Sequence, residues 1–252
     1  MNLIFIFFFF KKCFDGFMAT QTLEYHHQGA TLEAVIEHDP SKGMRPTILI
    51  FHAWRGRDDF VLDKAKWLAS LGYVGVALDM YGKGVLGSST EENGKLMEPF
   101  IKDRKFLLSR MEAGLGAIQK HPSVDSAQIG AIGFCFGGLC ALDFVRSGAD
   151  LKAVVSFHGL LNAPDCPSKP KGKILVLHGY NDPMVPPDQL TAFQDEMTKC
   201  GADWQVHAYG KTLHAFTNPV ANNPELGTIY SPTAEKRSLQ AMENFFSEVY
   251  QT

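Results

Sequence analysis

Gly133-Phe134-Cys135-Phe136-Gly137-Gly138 is the stretch on which the reading of this chain turns. Just before it, Ala127-Gln128-Ile129-Gly130-Ala131-Ile132-Gly133 reads as a short buried strand. Just after it, Leu139 to Val145 carries an apolar face at helical spacing. Cys135 therefore stands where a strand turns sharply into a helix. Side chains at 133 or 137 would collide in so tight a turn, which is a physical reason for glycine there. The helix's free N–H groups and positive end lie beside the sulfur and favour the thiolate, the form that attacks an electrophile.

Two further loops complete a reactive set. Lys173-Ile174-Leu175-Val176-Leu177-His178-Gly179 is a continuous apolar strand, and the loop after it, Tyr180 to Pro186, carries one acid, Asp182. Trp204 to Tyr209 alternates as a strand does, and the loop that follows, Gly210 to Phe216, carries His214. Taken singly, Asp182 reads as a turn residue and His214 as a solvated histidine. Together with Cys135 they occupy the C-terminal ends of three separate strands, the edge at which open α/β sheets place their sites.

On these residues, with Leu78-Asp79-Met80-Tyr81 at another strand end and His214-Ala215-Phe216 in the last loop, the chain resembles the dienelactone hydrolase family. These are α/β-hydrolases with a Cys-His-Asp triad, and the similarity runs from about Leu23 to the C-terminus. Nucleophile, acid and base occur here in the chain order such enzymes use. The resemblance implies Cys135 as nucleophile, His214 as base and Asp182 as the acid that orients it. It also implies an oxyanion hole built from the N–H of Trp54, in the loop Phe51 to Gly56, and the N–H of Phe136.

Departures from the family pattern bear on the substrate. In the dienelactone hydrolases proper, a glutamate stands where this chain has Ala53, and two arginines grip the substrate carboxylate. Here those arginine positions correspond to Lys83 and Asn218, so the bidentate clamp is lost and preference for an anionic lactone is in doubt. Arg55 and Arg57 read as solvated loop charges, with a cation at the site mouth as the alternative. His158 follows the apolar strand Ala153 to Phe157 and joins Lys83, Arg55 and Asn218 as a substrate-contact candidate.

The rest of the chain alternates strand and helix, which predicts a mostly parallel central sheet with helices on both faces. Strands are expected at Thr31 to His38 (antiparallel), Thr47 to His52, Val74 to Asp79 and Ala153 to Phe157. Helices are expected at Phe60 to Ser70, Met97 to Gln119, Gln189 to Thr198 and Ala234 to Val249, with Gly82 to Gly94 as a flap over the mouth.

Residues 18–252 are read as one domain of this kind, and residues 1–17 as an apolar extension outside it. Leu3 to Phe10 is eight apolar residues, against the roughly twenty needed to span a bilayer. Lys11 and Lys12 follow that run instead of preceding it, contrary to a signal peptide.

Lysine and arginine total 24 against 27 acids, with no basic block, so a nucleic-acid groove is not expected. Five cysteines, at 13, 135, 140, 166 and 200, make an odd count without framework spacing and point to a reducing compartment, the cytoplasm. His52, His158, His178 and His207 lack metal-ligand spacing, so no metal or cofactor is expected. The expected partner is a small ester or lactone met by a monomer or homodimer. The expected activity is ester or lactone hydrolysis through a cysteine acyl-enzyme. Two alternatives stay open: phosphotriester hydrolysis on the same triad, and a thiol redox sensor in which Cys140 resolves an oxidised Cys135.

Overall fold

The computed structural model describes residues 18–164 and 170–250. Cys13, Cys166 and the apolar run Leu3 to Phe10 lie outside them. The chain builds an eight-stranded sheet in the order β1-β2-β4-β3-β5-β6-β7-β8. Its strands are β1 (Ala19–His27), β2 (Ala30–His38), β3 (Arg45–Phe51), β4 (Val74–Leu78), β5 (Val124–Phe134), β6 (Ala153–Phe157), β7 (Lys173–Gly179) and β8 (Trp204–Tyr209). From β4 to β8 all neighbours are parallel, while β1 and β2 form an antiparallel hairpin at the edge. Gln28 and Gly29 turn that hairpin with φ of 48° and 80°, the left-handed pair a two-residue turn requires. This is the α/β-hydrolase fold.

The parallel strands read as unbroken apolar runs because both of their faces are covered. In β3, Leu49 and Phe51 pack on one face with α3 (Arg104–Ile118), α4 (Phe136–Arg146) and α5 (Pro187–Lys199). Ile48 and Ile50 point the other way, against α1 (Asp59–Ser70) and α6 (Pro232–Tyr250). Among the described residues no helix is long and apolar enough to cross a membrane.

The structure corrects two expected elements. The helix expected over Met97 to Gln119 is two helices, α2 (Thr90–Lys102) and α3, broken at Asp103, whose backbone is extended at φ −123° and ψ 91°. The Asp103 carboxylate accepts from the N–H groups of Lys105 and Phe106, so one residue ends α2 and caps α3. Part of the expected flap is the start of α2. Ser89 caps Glu92 N–H while the Glu92 carboxylate reaches back to Ser88, so these serines and acids begin a helix instead of prolonging a loop. Replacing Asp103 with Ala is expected to cost about 1 kcal/mol of stability, read as a lower urea midpoint with an unchanged m-value.

Candidate active site

Cys135 lies at the tip of the turn from β5 into α4 with φ 56° and ψ −116°, a backbone geometry that ordinary side chains rarely adopt. Two close approaches enforce it. A Cβ on Gly133 would stand 1.8 Å from the Gly137 carbonyl oxygen, and one on Gly137 would stand 2.0 Å from the carbonyl oxygen of Phe51 in β3. Cys135 N–H donates to Phe157 O at 3.0 Å, which ties the turn to the end of β6. Phe136 is the first residue of α4, so its N–H has no intrahelical acceptor.

Asp182 and His214 meet at this same edge. Asp182 Oδ2 is 2.7 Å from His214 Nδ1, and its Oδ1 accepts from Met184 N–H at 2.8 Å. His214 is held by its backbone to a small antiparallel pair, β9 (Asn222–Asn223) and β10 (Thr228–Ile229). Its N–H donates to Gly227 O at 2.9 Å, and Ile229 N–H donates to its carbonyl at 3.1 Å. Gly227, at φ 67°, packs so tightly on Pro183 that a Cβ there would lie 2.2 Å from Pro183 Cγ. The acid's loop and the histidine's clamp are therefore in direct contact.

Burial lowers the pKa of His214, but the Cys135 sulfur and the Asp182 carboxylate outweigh it and raise the imidazole from 6.5 to about 10. The outer nitrogen, Nε2, is buried and makes no standard hydrogen bond, and the Cys135 sulfur acts on the ring through its charge. Cys135 and His214 both line a cavity of about 410 Å³, together with Trp54, His158, Arg55 and Asn218. Asp182, 3 % exposed, stays behind the histidine, outside the lining.

The loop after β3 is held peptide by peptide. His52 is fully buried, and its Nε2 accepts from Met80 N–H at 3.2 Å. Its Nδ1 must then carry the proton, which it donates to Ala53 O at 2.7 Å. Burial brings His52 down to about 4, so it stays neutral and keeps both roles. The next carbonyl, Trp54 O, accepts from Tyr81 OH at 3.0 Å. In a trans peptide the N–H points away from its own C=O, so anchoring Ala53 O sets the direction of the Trp54 N–H.

Lys83 does not join the cavity. Its ammonium is exposed and paired with Glu24 at 2.8 Å and Glu33 at 3.3 Å on the edge hairpin, which removes it from the position expected of a substrate cation. Arg57 is also not a solvated loop charge. It is largely buried against Glu33 at 2.7 Å. His158 packs edge-on to His214 with ring centres 5.2 Å apart and joins Thr217 Oγ1 at 2.8 Å. Burial, reinforced by His214, pushes its pKa well down. Cys140 is sealed in the core, and burial holds its thiol well above the ordinary range. Among the described residues, no three His, Cys, Asp or Glu side chains are grouped as metal ligands.

Sequence reasoning missed the β9–β10 clamp and the anchoring by His52. The run Asn222-Asn223-Pro224 followed by Gly227 was a turn signal for the first. For the second, the only signal was a histidine at the end of a buried strand.

Two outcomes follow. Folded His214 keeps its proton up to about pH 10, whereas an unfolded histidine loses it near 6.5. Its contribution to stability is thus complete below 6.5 and drains away between 6.5 and 10. Urea midpoints across that range should fall more steeply for the wild type than for His214→Ala. At the other end of the site, His52→Leu leaves Met80 N–H and Ala53 O without their ring partner, at about 1 to 3 kcal/mol for each. His52→Asn retains a donor and an acceptor and should lose less, as read by thermal unfolding.

A dienelactone hydrolase family model matches residues 32–250. A crystal structure described as a dienelactone hydrolase-like promiscuous phosphotriesterase from metagenomic libraries is 34% identical, with a TM-score of 0.87 over 92% of this chain and 99% of that one. An uncharacterized Caenorhabditis elegans protein is 36% identical over 167 residues, 64% of this chain and 99% of its own length. A probable 2-oxo-3-(5-oxofuran-2-ylidene)propanoate lactonase of Bradyrhizobium is 26% identical over 216 residues, 79% of this chain and 86% of that one. With its α/β-hydrolase sheet and a family match that spans most of its length, this chain belongs to the dienelactone hydrolase family of hydrolases.

Proposed function

We propose that this protein hydrolyses small carboxylic esters or lactones through a thioester formed on Cys135. The observation that carries this is the single ring of His214. Its Nδ1 is fixed on Asp182 at 2.7 Å, while its Nε2 is buried without a full partner in the cavity that Cys135 also lines.

The Cys135 thiolate attacks the carbonyl carbon, and the C=O electron pair moves onto oxygen. The N–H groups of Trp54 and Phe136 receive that oxyanion, at about 3 kcal/mol for a donor of this kind. As the C–O bond to the leaving alkoxide breaks, Nε2–H of His214 supplies the proton that makes it an alcohol. A water then gives its proton to Nε2 and attacks the thioester. The C–S bond breaks, releasing the acid and restoring the thiolate–imidazolium pair. Asp182 holds the Nδ1 proton throughout and keeps the ring aimed.

A second reading has support in the metagenomic relative. That protein is described as a promiscuous phosphotriesterase, and a thiolate at Cys135 is a nucleophile able to attack phosphorus, so phosphotriesters are a side reaction to assay for this chain. The redox alternative is disfavoured by Cys140, which is fully buried in α4. Free thiols at Cys135, Cys140 and Cys200 support a reducing compartment such as the cytoplasm.

Turnover of p-nitrophenyl acetate tests the reading. Cys135→Ala and His214→Ala should each lower kcat/KM by about a thousandfold or more, and the double variant should lose little beyond either single one. Rapid quenching should leave one acetyl group on the wild-type protein, lost when position 135 is alanine. An inactive wild type, or an alanine variant with full activity, would overturn the proposal.

A further inference from the structure

The charge of the cavity bears on which esters it admits, an inference that rests on the ester-hydrolase reading. Apart from the thiol and the imidazoles, the charged side chains among the described lining residues are Arg55 and Asp58. They form an ion pair, Arg55 Nη1 to Asp58 Oδ2 at 3.5 Å, with the guanidinium half exposed and the carboxylate largely covered. Burial raises the Asp58 pKa and Arg55 only partly opposes it, which marks a carboxylate that is short of positive neighbours.

The other cations near the mouth are already committed. Lys83 lies on Glu24 and Glu33, and Arg57 lies on Glu33. Asn218 turns its Oδ1 back to accept from Val220 N–H at 3.2 Å. Arg55, Asp58 and Asn218 also line an adjoining outer depression of about 380 Å³, where Asp59 and Asp63 add two more acids. A substrate carboxylate entering here would meet three acids and two guanidiniums, both of them paired.

We infer that Asp58 is a charge selector at the mouth: it neutralises Arg55, the one guanidinium among the described residues lining the cavity, so that the site admits esters and lactones uncharged near the scissile carbonyl and rejects those bearing a carboxylate. The remaining wall agrees with such a cargo. Thr90, Asn93 and Met97 of α2 and Leu160 and Met184 opposite supply apolar surface and neutral hydrogen-bonding groups.

The test compares two esters of similar length, neutral p-nitrophenyl butyrate and anionic mono-p-nitrophenyl glutarate. The readout is the ratio of their kcat/KM values. Asp58→Asn frees Arg55 and should raise the anionic-to-neutral ratio by about three- to fivefold, and the gain should shrink as salt rises. Arg55→Gln, a change at an exposed side chain, should lower the same ratio. An unchanged ratio in both variants, or shifts of the opposite sign, in an enzyme that hydrolyses the butyrate overturns the selector alone. A wild type inert on both esters overturns the hydrolase reading, and the selector with it.

Discussion

Three backbones meet without a side chain between them at the C-terminal edge of this sheet. The site depends on that contact. Gly133 of β5 sits against Gly137 of α4, and Gly137 against the end of β3 at Phe51. Neither gap would admit a methyl group, so the helix starts directly over the sheet edge and Cys135, midway between the two glycines, is forced into a positive φ. That constraint lifts the Cys135 sulfur off the sheet and places it at the N-terminal end of α4. It also puts Phe136 first in α4, with an N–H that has no intrahelical acceptor, next to that sulfur in the chain. The neighbouring strand ends then supply the rest: β3 the Trp54 loop, β6 His158, β7 Asp182, and the loop after β8 His214.

Much of this was legible in the sequence, for identifiable reasons. Parallel strands buried on both faces leave continuous apolar runs, so β3, β4, β6 and β7 are readable without knowledge of their neighbours. Their C-terminal ends can be counted off directly, and so Cys135, Asp182 and His214 can be found as residues just beyond strands. What could not be read depends on contacts between distant segments. Lys83 follows a strand end and looked available, but Glu24 and Glu33, brought together by the pairing of β1 with β2, had already taken its charge. Arg57 was hidden by the same hairpin. The break at Asp103 escaped because apolar spacing continues through it, and a local cap decided where one helix ended and the next began.

Ala53 is a departure from the family pattern that bears on the sulfur. An acid in that position would compete with His214 for the sulfur, since a carboxyl proton can be shared with a thiolate and a carboxylate repels one. With a methyl group there, the imidazole faces no such competitor. The direction of the His214 shift follows from that arrangement: the sulfur and Asp182 together hold the proton on the ring despite its burial. Burial strengthens the pairing as well as penalising each charge, because little water remains to screen it.

On the proposed mechanism, a thiolate–imidazolium pair would make strong demands on the rest of the pocket. Its two charges would compensate each other, with Asp182 behind the ring, so any further charge near the mouth would act on the substrate and on the balance of the pair at once. His158, 5.2 Å from His214 and neutral, and His52, neutral and locked by its two hydrogen bonds, keep positive charge away from the imidazolium. The same logic accounts for the pairing of Lys83 and Arg57 on Glu33 outside the cavity. Lys83 and Arg57 stand outside the cavity with their fields spent on carboxylates, so neither opposes the nucleophile proposed at Cys135.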